Sequence, residues 1–128
     1  MFIMLRILTT ACTLAGIKRV QFISMRNRLG WQEKVQIHHI IPKEFRTHPV
    51  LLDFDINDGQ NLMFLPNPLG RATLSTRRPN HDGGHHAYNQ YVGTLLDRLT
   101  LTKSEGELDV LIRRLRQSLR HEPDVPWK

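Results

Sequence analysis

Apolar residues recur every three to four positions in three segments of the chain, which predicts three amphipathic helices. The first segment spans 13–29 and is expected to end at Gly30, a common residue after a helix. The second spans 87–99. The third follows a capping-box pattern in which Glu107 comes three residues after Ser104. Its apolar positions are Leu108, Leu111, Ile112, Leu115 and Leu119.

Two shorter apolar runs predict strands instead of helices. The first run, 34–37, leads into two adjacent histidines and then Pro42. The second run, 62–65, stops at Pro66, because proline cannot continue a hydrogen-bonded ladder. A polar turn lies between the two apolar runs, so the two predicted strands are expected to form a hairpin. The predicted fold class is therefore α+β, a small and mostly helical domain built on a ββα unit with flanking helices.

The remaining segments give weaker patterns. Short helical turns are expected at 43–46 and, opened by Pro49, at 50–54. Their apolar side chains are expected to pack inward: Phe45, Val50, Leu51, Leu52 and Phe54. Residues 67–80 are rich in Pro, Gly, Thr and Arg and are predicted to form a loop. The tail from His121 is predicted to be frayed.

The acidic pattern of residues 53–59 raises the possibility of a calcium-binding EF-hand loop, which the sequence then excludes. The turn glycine, Gly59, arrives one place late, and Phe64 occupies the position of the bidentate glutamate. The segment is therefore predicted to be an ordinary polar turn.

The charge balance points to a polyanionic partner. Lysine and arginine outnumber aspartate and glutamate by 18 to 12, and the pI is about 10.1, which favours nucleic acid binding. Candidate phosphate contacts in the predicted loop are Arg71, Arg77 and Arg78, which have no acidic neighbours in the sequence. The last helix carries a second basic group, interpreted either as a phosphate-facing strip or as a solvated face: Arg113, Arg114, Arg116 and Arg120.

The 128 residues suit one domain, divided into a basic amphipathic segment at 1–30, a core at 31–101, and a C-terminal helix and tail at 102–128. The first 16 residues contain a weak apolar segment with an internal Arg6. It is compatible with a packed helix, a poor signal peptide or an organelle transit peptide. No run reaches the roughly 18 apolar residues of a membrane span. A cytoplasmic or nuclear location is expected, with a secreted or organellar one left open.

Histidines supply the candidate chemistry. The single Cys12 excludes an internal disulfide and a cysteine-based zinc site, whereas four of the 7 histidines form two adjacent pairs. His81 and His85 have the i, i+4 spacing at which one helical turn can share a metal ion. With His38 they would leave coordination positions open, as a catalytic metal requires. The alternatives are a closed structural site with His86 as fourth ligand, or ordinary surface histidines.

The histidine pairs stand within a wider pattern. Residues 38–42 read His-His-Ile-Ile-Pro, residues 60–66 contain Asn61 before a strand and proline, and residues 81–88 read His-Asp-Gly-Gly-His-His-Ala-Tyr. This pattern resembles the AHH subfamily of the HNH/endonuclease VII superfamily of ββα-metal nucleases. Three positions depart from the pattern of that subfamily: Ile37 replaces alanine, Phe54 replaces a turn glycine, and Leu62 replaces a glycine.

The resemblance implies an endonuclease with one divalent metal ion held by His38, His81 and His85. His39 would be the general base, and Asn61 would brace the loop beneath it. The implied ion is zinc, nickel or magnesium, with cobalt also compatible. Tyr88 is expected to be either a nucleic-acid contact or a core residue.

The implied substrate is nucleic acid, with DNA favoured over RNA. Two alternatives remain: a catalytically silent binding module that keeps the fold, and a nuclease toxin domain with an immunity protein as partner. The oligomeric state is left open.

Overall fold

A computed structural model of the protein describes residues 16–81, 83–102, 106–121 and 125–128. Four α-helices and two strands occur in these residues, in the order α1 (Arg19–Arg28), β1 (Val35–His39), β2 (Leu62–Pro66), α2 (Pro68–Thr73), α3 (His86–Thr102) and α4 (Glu107–His121). Three single 3₁₀ turns precede β2: Lys43–Phe45, Pro49–Leu51 and Gly59–Asn61. The α+β class is confirmed, while the division into three segments stays a prediction. The predicted cap at Ser104 lies outside the described residues. The first helix was predicted from residue 13, which is wrong for the described residues 16–18, because α1 begins at Arg19 and Lys18 forms an isolated bridge with Asp58.

The two strands form the predicted antiparallel hairpin, with a register running from Val35 opposite Pro66 to His39 opposite Leu62. The prediction that the first strand ends at residue 37 is wrong, because both histidines belong to β1 and have cross-strand partners in β2. Successive strand residues point to opposite faces of a sheet. His38 and His39 therefore face opposite sides of the hairpin.

Both faces of the hairpin are covered. Met63 and Leu65 of β2 pack with α3 and α4 in the larger core. Its helical members are Tyr88, Val92, Leu96, Ile112, Leu115 and Leu119. On the other face Leu62 and Phe64 pack against Phe22 of α1. Full burial of such side chains contributes about 1.5–3 kcal/mol each, so the two clusters hold the short hairpin between helices.

Among the described residues no third strand pairs with the outer edge of β2, and other groups satisfy its carbonyls. Arg116 donates to Leu62 O at 3.2 Å, Arg78 donates to Phe64 O at 2.7 Å, and the His81 N–H donates to Pro66 O at 2.7 Å. The prediction that Arg116 belongs to an exposed strip is wrong, because Arg116 is only 3% exposed. The arginine guanidinium groups replace a neighbouring strand at this edge.

Two further predictions are wrong. Leu52, expected in the core, is 84% exposed. The segment 67–80, expected to be loop throughout, contains helix α2, where Asn67 caps the N-terminus by accepting from Gly70 N at 2.9 Å. Pro68 at the first helical position also favours this start. Within the described residues, no helix is long and apolar enough to cross a membrane.

Candidate active site

Three histidines from two parts of the chain converge between the hairpin and α3. His38 comes from β1, and His81 and His85 come from the segment before α3. The ring centroid of His38 lies 5.4 Å from that of His81 and 5.2 Å from that of His85. One nitrogen from each ring lies within 4.8 Å of the others. This is the convergence that a shared metal ion requires, and metal binding itself stays a prediction.

The prediction that His81 and His85 share one helical turn is wrong, although their ring centroids lie 5.2 Å apart. Helix α3 begins at His86, so neither residue lies on a helical turn with the other. The His81 backbone is held by its hydrogen bond to Pro66 O. Gly83 then turns the chain with a φ of +125°, a conformation that favours glycine. The turn at Gly83 therefore helps to bring the rings of His81 and His85 together.

The environment of His38 fits a metal ligand. The residue is 2% exposed, and its Nε2 atom is buried with no hydrogen bond to any described residue. Burial holds the pKa of His38 well below its usual value, and the neighbouring His81 and His85 lower it further. A neutral imidazole with a free nitrogen is the form of histidine that binds a metal ion.

Asn89 and Glu44 orient the His85 ring. His85 Nδ1 lies 2.7 Å from Asn89 Oδ1, and Asn89 Nδ2 donates to Glu44 Oε1 at 2.5 Å. Because an amide oxygen only accepts, the proton of neutral His85 lies on Nδ1, which leaves Nε2 free for a metal ion. Neither residue was predicted to have a role, although Asn89 follows His85 by four positions.

His39 lies on the opposite face of β1, where it is half-buried. Its Nε2 is 2.8 Å from Asn57 Oδ1, so the neutral ring donates from Nε2 and keeps Nδ1 as an acceptor. Burial lowers the pKa of His39, the hydrogen bond that its Nε2 donates to Asn57 Oδ1 raises it, and the positive charges of Lys43 and Arg19 lower it. The net direction is downward, which favours the neutral form that accepts a proton.

Comparison with known proteins bears on this geometry. The sequence model of AHH, described as a nuclease family of the HNH/ENDO VII superfamily with conserved AHH, matches residues 21–119. The chain belongs to the AHH nuclease family. No curated protein and no solved structure matches the chain. HNH-type nucleases use divalent metal ions, and the cluster of three histidines in this AHH protein can bind one.

The departure from the AHH motif at Ile37 has a structural explanation. In this chain isoleucine stands where the motif has alanine. Ile37 shares a face with His39 and packs against the cluster formed by Phe22, Leu62 and Phe64. The larger side chain therefore fills space under α1 and does not enter the histidine cluster.

Asn61, which belongs to the AHH pattern, forms hydrogen bonds with two parts of the segment that joins β1 to β2. The residue is fully buried, its Oδ1 accepts from Ile41 N at 2.7 Å, and its Nδ2 donates to Ile41 O at 3.1 Å and to Ile56 O at 2.9 Å. Ile41 follows His39 by two residues. Asn61 therefore positions the end of β1, and the departure at Leu62 leaves this geometry intact.

Trp127 covers one side of the histidine cluster. Its ring centroid lies 4.9 Å from that of His85 and 5.4 Å from that of His38. Its Nε1 donates to Asn80 O at 3.1 Å, and its carbonyl accepts from Tyr88 N at 3.3 Å. The prediction of a frayed tail is therefore wrong for the described residues 125–128. No periodicity marks so short a segment, and no local pattern in it predicts this contact.

Tyr88 is a core residue that supports the cluster. It is fully buried, its hydroxyl donates to Ile40 O at 2.5 Å, and its ring centroid lies 5.4 Å from that of His38. Burial raises its pKa. The alternative in which Tyr88 contacts nucleic acid is wrong, because no part of the side chain reaches the surface.

The predicted phosphate-binding arginines have different surroundings. Arg78 points inward to Phe64 O, so its interpretation as a surface contact is wrong. Arg71 is exposed, and its Nη1 donates to the carbonyls of Thr76 at 3.0 Å and Arg78 at 2.6 Å, which holds its own loop. Arg77 is exposed. Nucleic acid binding by Arg71 and Arg77 stays a prediction, while Arg19 and Lys43 are the cations that interact with His39.

Proposed function

We propose that this AHH protein is a metal-dependent endonuclease that hydrolyses phosphodiester bonds. The observation that carries the proposal is the placement of adjacent histidines on opposite faces of β1. His38 joins the three-histidine cluster, whereas His39 stays outside it and bonds to Asn57. A metal centre that only stabilises the fold would require His38 as a ligand but would not require His39.

In the proposed reaction water attacks the phosphorus atom, so a new P–O bond forms while the P–O bond to the leaving sugar oxygen breaks, and that oxygen takes up a proton from solvent. His39 accepts a proton from this water at Nδ1, while Asn57 holds the ring through Nε2. A divalent ion held by His38, His81 and His85 would supply charge neutralisation at the phosphate and the leaving oxygen. The positive charges of Arg19 and Lys43, which interact with His39, attract the phosphate to the end of β1, where His39 lies.

The donor set bears on the choice of ion. Three imidazoles suit zinc, nickel or cobalt, whereas magnesium prefers oxygen ligands and near-octahedral geometry. We infer that a transition metal ion occupies the centre. The basic character of the chain, with a pI of about 10.1, supports a nucleic acid substrate, and we propose DNA before RNA.

Metal analysis combined with cleavage assays tests the function. The purified protein should contain one divalent ion per chain and should cut plasmid DNA, with EDTA abolishing cleavage and added zinc, nickel or cobalt restoring it. A structured RNA assayed in parallel decides between the two substrates. A metal-loaded protein that cuts neither substrate would show that the proposal is wrong and would favour a silent binding module.

Replacing Lys43 with alanine is expected to weaken DNA binding uniformly across sequences. Each phosphate contact contributes about one unit to the slope of log affinity against log salt concentration, so this slope should fall by about 1. The measurement is a salt titration of binding to a labelled duplex. Arg28→Ala is the matched control, because Arg28 is an exposed cation at the far end of α1 from Arg19. Equal slopes for Lys43→Ala and the parent protein would contradict the assignment.

A further inference from the structure

Asn57, which bonds to His39, is an exposed residue of the loop before β2. Exposed side chains change rotamer rapidly unless a bond or a fixed backbone restrains them. Packing alone therefore does not hold the Asn57 side chain in the position where its Oδ1 lies 2.8 Å from Nε2 of His39. For this bond to orient the ring of the general base, the loop backbone must itself be held.

Two hydrogen bonds fix the loop backbone at Asn57. The carbonyl of the preceding residue, Ile56, accepts from Nδ2 of Asn61 at 2.9 Å. The Asn57 backbone N–H donates to Oδ1 of Asp55 at 2.9 Å. Both backbone groups lie within one residue of the side chain that meets His39, so both limit the position of that side chain. The second bond links Asp55, through Asn57, to the general base.

Lys18 holds the other side of the Asp55 carboxylate. Its Nζ lies 3.1 Å from Asp55 Oδ2, whereas Oδ1 accepts from Asn57, so the two carboxylate oxygens have separate partners. Lys18 also forms an isolated antiparallel bridge with Asp58 through its backbone. The residue before α1 therefore contacts the loop on both sides of Asn57.

The charge of Asp55 is unfavourable for this location. The proposed reaction brings a phosphate to His39, and a nearby carboxylate repels that phosphate. The hydrogen bond from the Asn57 backbone, followed by the contact with Lys18, nevertheless lowers the pKa of Asp55 and keeps it ionised. The ion pair with Lys18 reduces the repulsion. The loop therefore keeps a strong acceptor for the Asn57 N–H while much of the negative charge is balanced.

We propose that Asp55 is a positioning residue for the general base, with Lys18 holding its carboxylate in place. Asp55 acts through Asn57 and not on the reacting atoms. It fixes the backbone at Asn57, and the Asn57 side chain then engages Nε2 of His39 and leaves Nδ1 free to accept the proton of water. The inference rests on the proposed nuclease function, because His39 serves as a base only in that reaction.

Two substitutions at Asp55 separate its hydrogen bond from its charge. Asp55→Asn removes the charge and keeps an oxygen that can accept from Asn57 N, whereas Asp55→Ala removes both. The single-turnover cleavage rate at saturating metal and DNA should fall about 10-fold in Asp55→Ala, because a loosened Asn57 orients His39 only part of the time. Asp55→Asn should lose only about 2- to 5-fold, the range of an exposed ion pair.

Two further variants test the ion pair and the effect of charge. Lys18→Ala should match Asp55→Asn, because both remove the ion pair and keep an acceptor for the Asn57 N–H. Asp53→Ala is the matched control, because Asp53 is an exposed acid two residues earlier in the chain. Removing this negative charge should leave the saturated cleavage rate at the parent value. A rate lowered as much by Asp53→Ala as by Asp55→Ala would show that charge alone is responsible.

A double-mutant cycle distinguishes positioning from a general loss of stability. If Asp55 acts through Asn57, Asp55→Ala should lower the rate of the parent protein and leave the rate of the Asn57→Ala protein unchanged. An unstable loop would lower both rates. Metal content should stay the same in every variant, because Asp55 and Asn57 lie outside the three-histidine cluster.

Hydrogen exchange of the Asn57 backbone amide gives a readout that needs no cleavage. NMR of the full-length protein should show this amide exchanging about 10-fold faster in Asp55→Ala than in the parent protein, and at the parent rate in Asp53→Ala. The proposal is overturned if Asp55→Ala leaves this exchange rate unchanged, if it cleaves at the parent rate, or if it lowers the rate equally in the Asn57→Ala background. These results would leave the nuclease function intact. A metal-loaded parent protein that cuts neither DNA nor RNA would instead remove the nuclease function and this proposal together.

Discussion

Replacing His39 with alanine is expected to lower the rate of phosphodiester cleavage by about 10²- to 10⁴-fold, the contribution typical of a general base. The reason is that no other described side chain shares the position of His39 beside Asn57, Arg19 and Lys43. Metal content should stay the same, because the His39 ring lies on the opposite face of β1 from the cluster. The measurement is single-turnover plasmid cleavage at saturating metal, paired with metal analysis.

Two companion variants separate a chemical role from a structural one. His86→Ala is the control, because His86 is exposed, starts α3 and lies outside the three-histidine cluster. It should cleave at the parent rate. Asn57→Ala should reduce the rate less than His39→Ala, since it removes only the bond that orients the ring. A His39→Ala protein that cleaves at the parent rate with its metal bound would show that the base is another residue.

The hairpin and its histidines could be predicted because the relevant signals are local. Two apolar runs that end in prolines gave the strands, and the extended geometry of a strand explains why His38 and His39 diverge. The error at the end of β1 came from treating the two histidines as the residues after the strand. The pairing of His39 with Leu62 depends on the register of the whole hairpin, which the first run alone does not specify.

Long-range contacts account for most of what the sequence left out. Arg116 resembles any cation on an amphipathic helix until β2 is known to have an open edge for it to cover. Helix α2 was missed because six residues give little periodicity, although Asn67 and Pro68 form a recognisable start. Trp127 meets His85 across more than 40 positions of the chain. The positions of Arg116 and Trp127 follow from packing between segments that are distant in the chain, and no local sequence pattern predicts that packing.

The two faces of β1 explain how one dipeptide can serve two chemical roles. The buried face keeps His38 neutral and in contact with His81, His85 and Tyr88. The other face gives His39 partial access to solvent and two nearby cations. Asn61 fixes the position of the chain directly after the pair by bonding to Ile41. A shift of one residue in register would exchange the two faces, so the register of the hairpin determines the site.

Replacing His85 with alanine is expected to weaken metal binding by more than 100-fold and to abolish cleavage at limiting metal. The loss should exceed the roughly 10- to 100-fold expected for Asn89→Ala, which removes only the partner that orients the His85 ring. Affinity can be measured without catalysis. Cobalt or nickel bound among the histidines should quench the fluorescence of Trp127, whose ring centroid lies 4.9 Å from that of His85.

The order of the three affinities is the decisive result, with the parent protein tightest, Asn89→Ala intermediate and His85→Ala weakest. His48→Ala is the control, because His48 is bonded to Asp97 and lies outside the cluster. Trp127→Phe should remove the quenching signal while Trp31 remains, which locates the ion beside Trp127. If His85→Ala binds cobalt as tightly as the parent protein, the ion lies elsewhere, and the convergence of the three rings reflects packing alone.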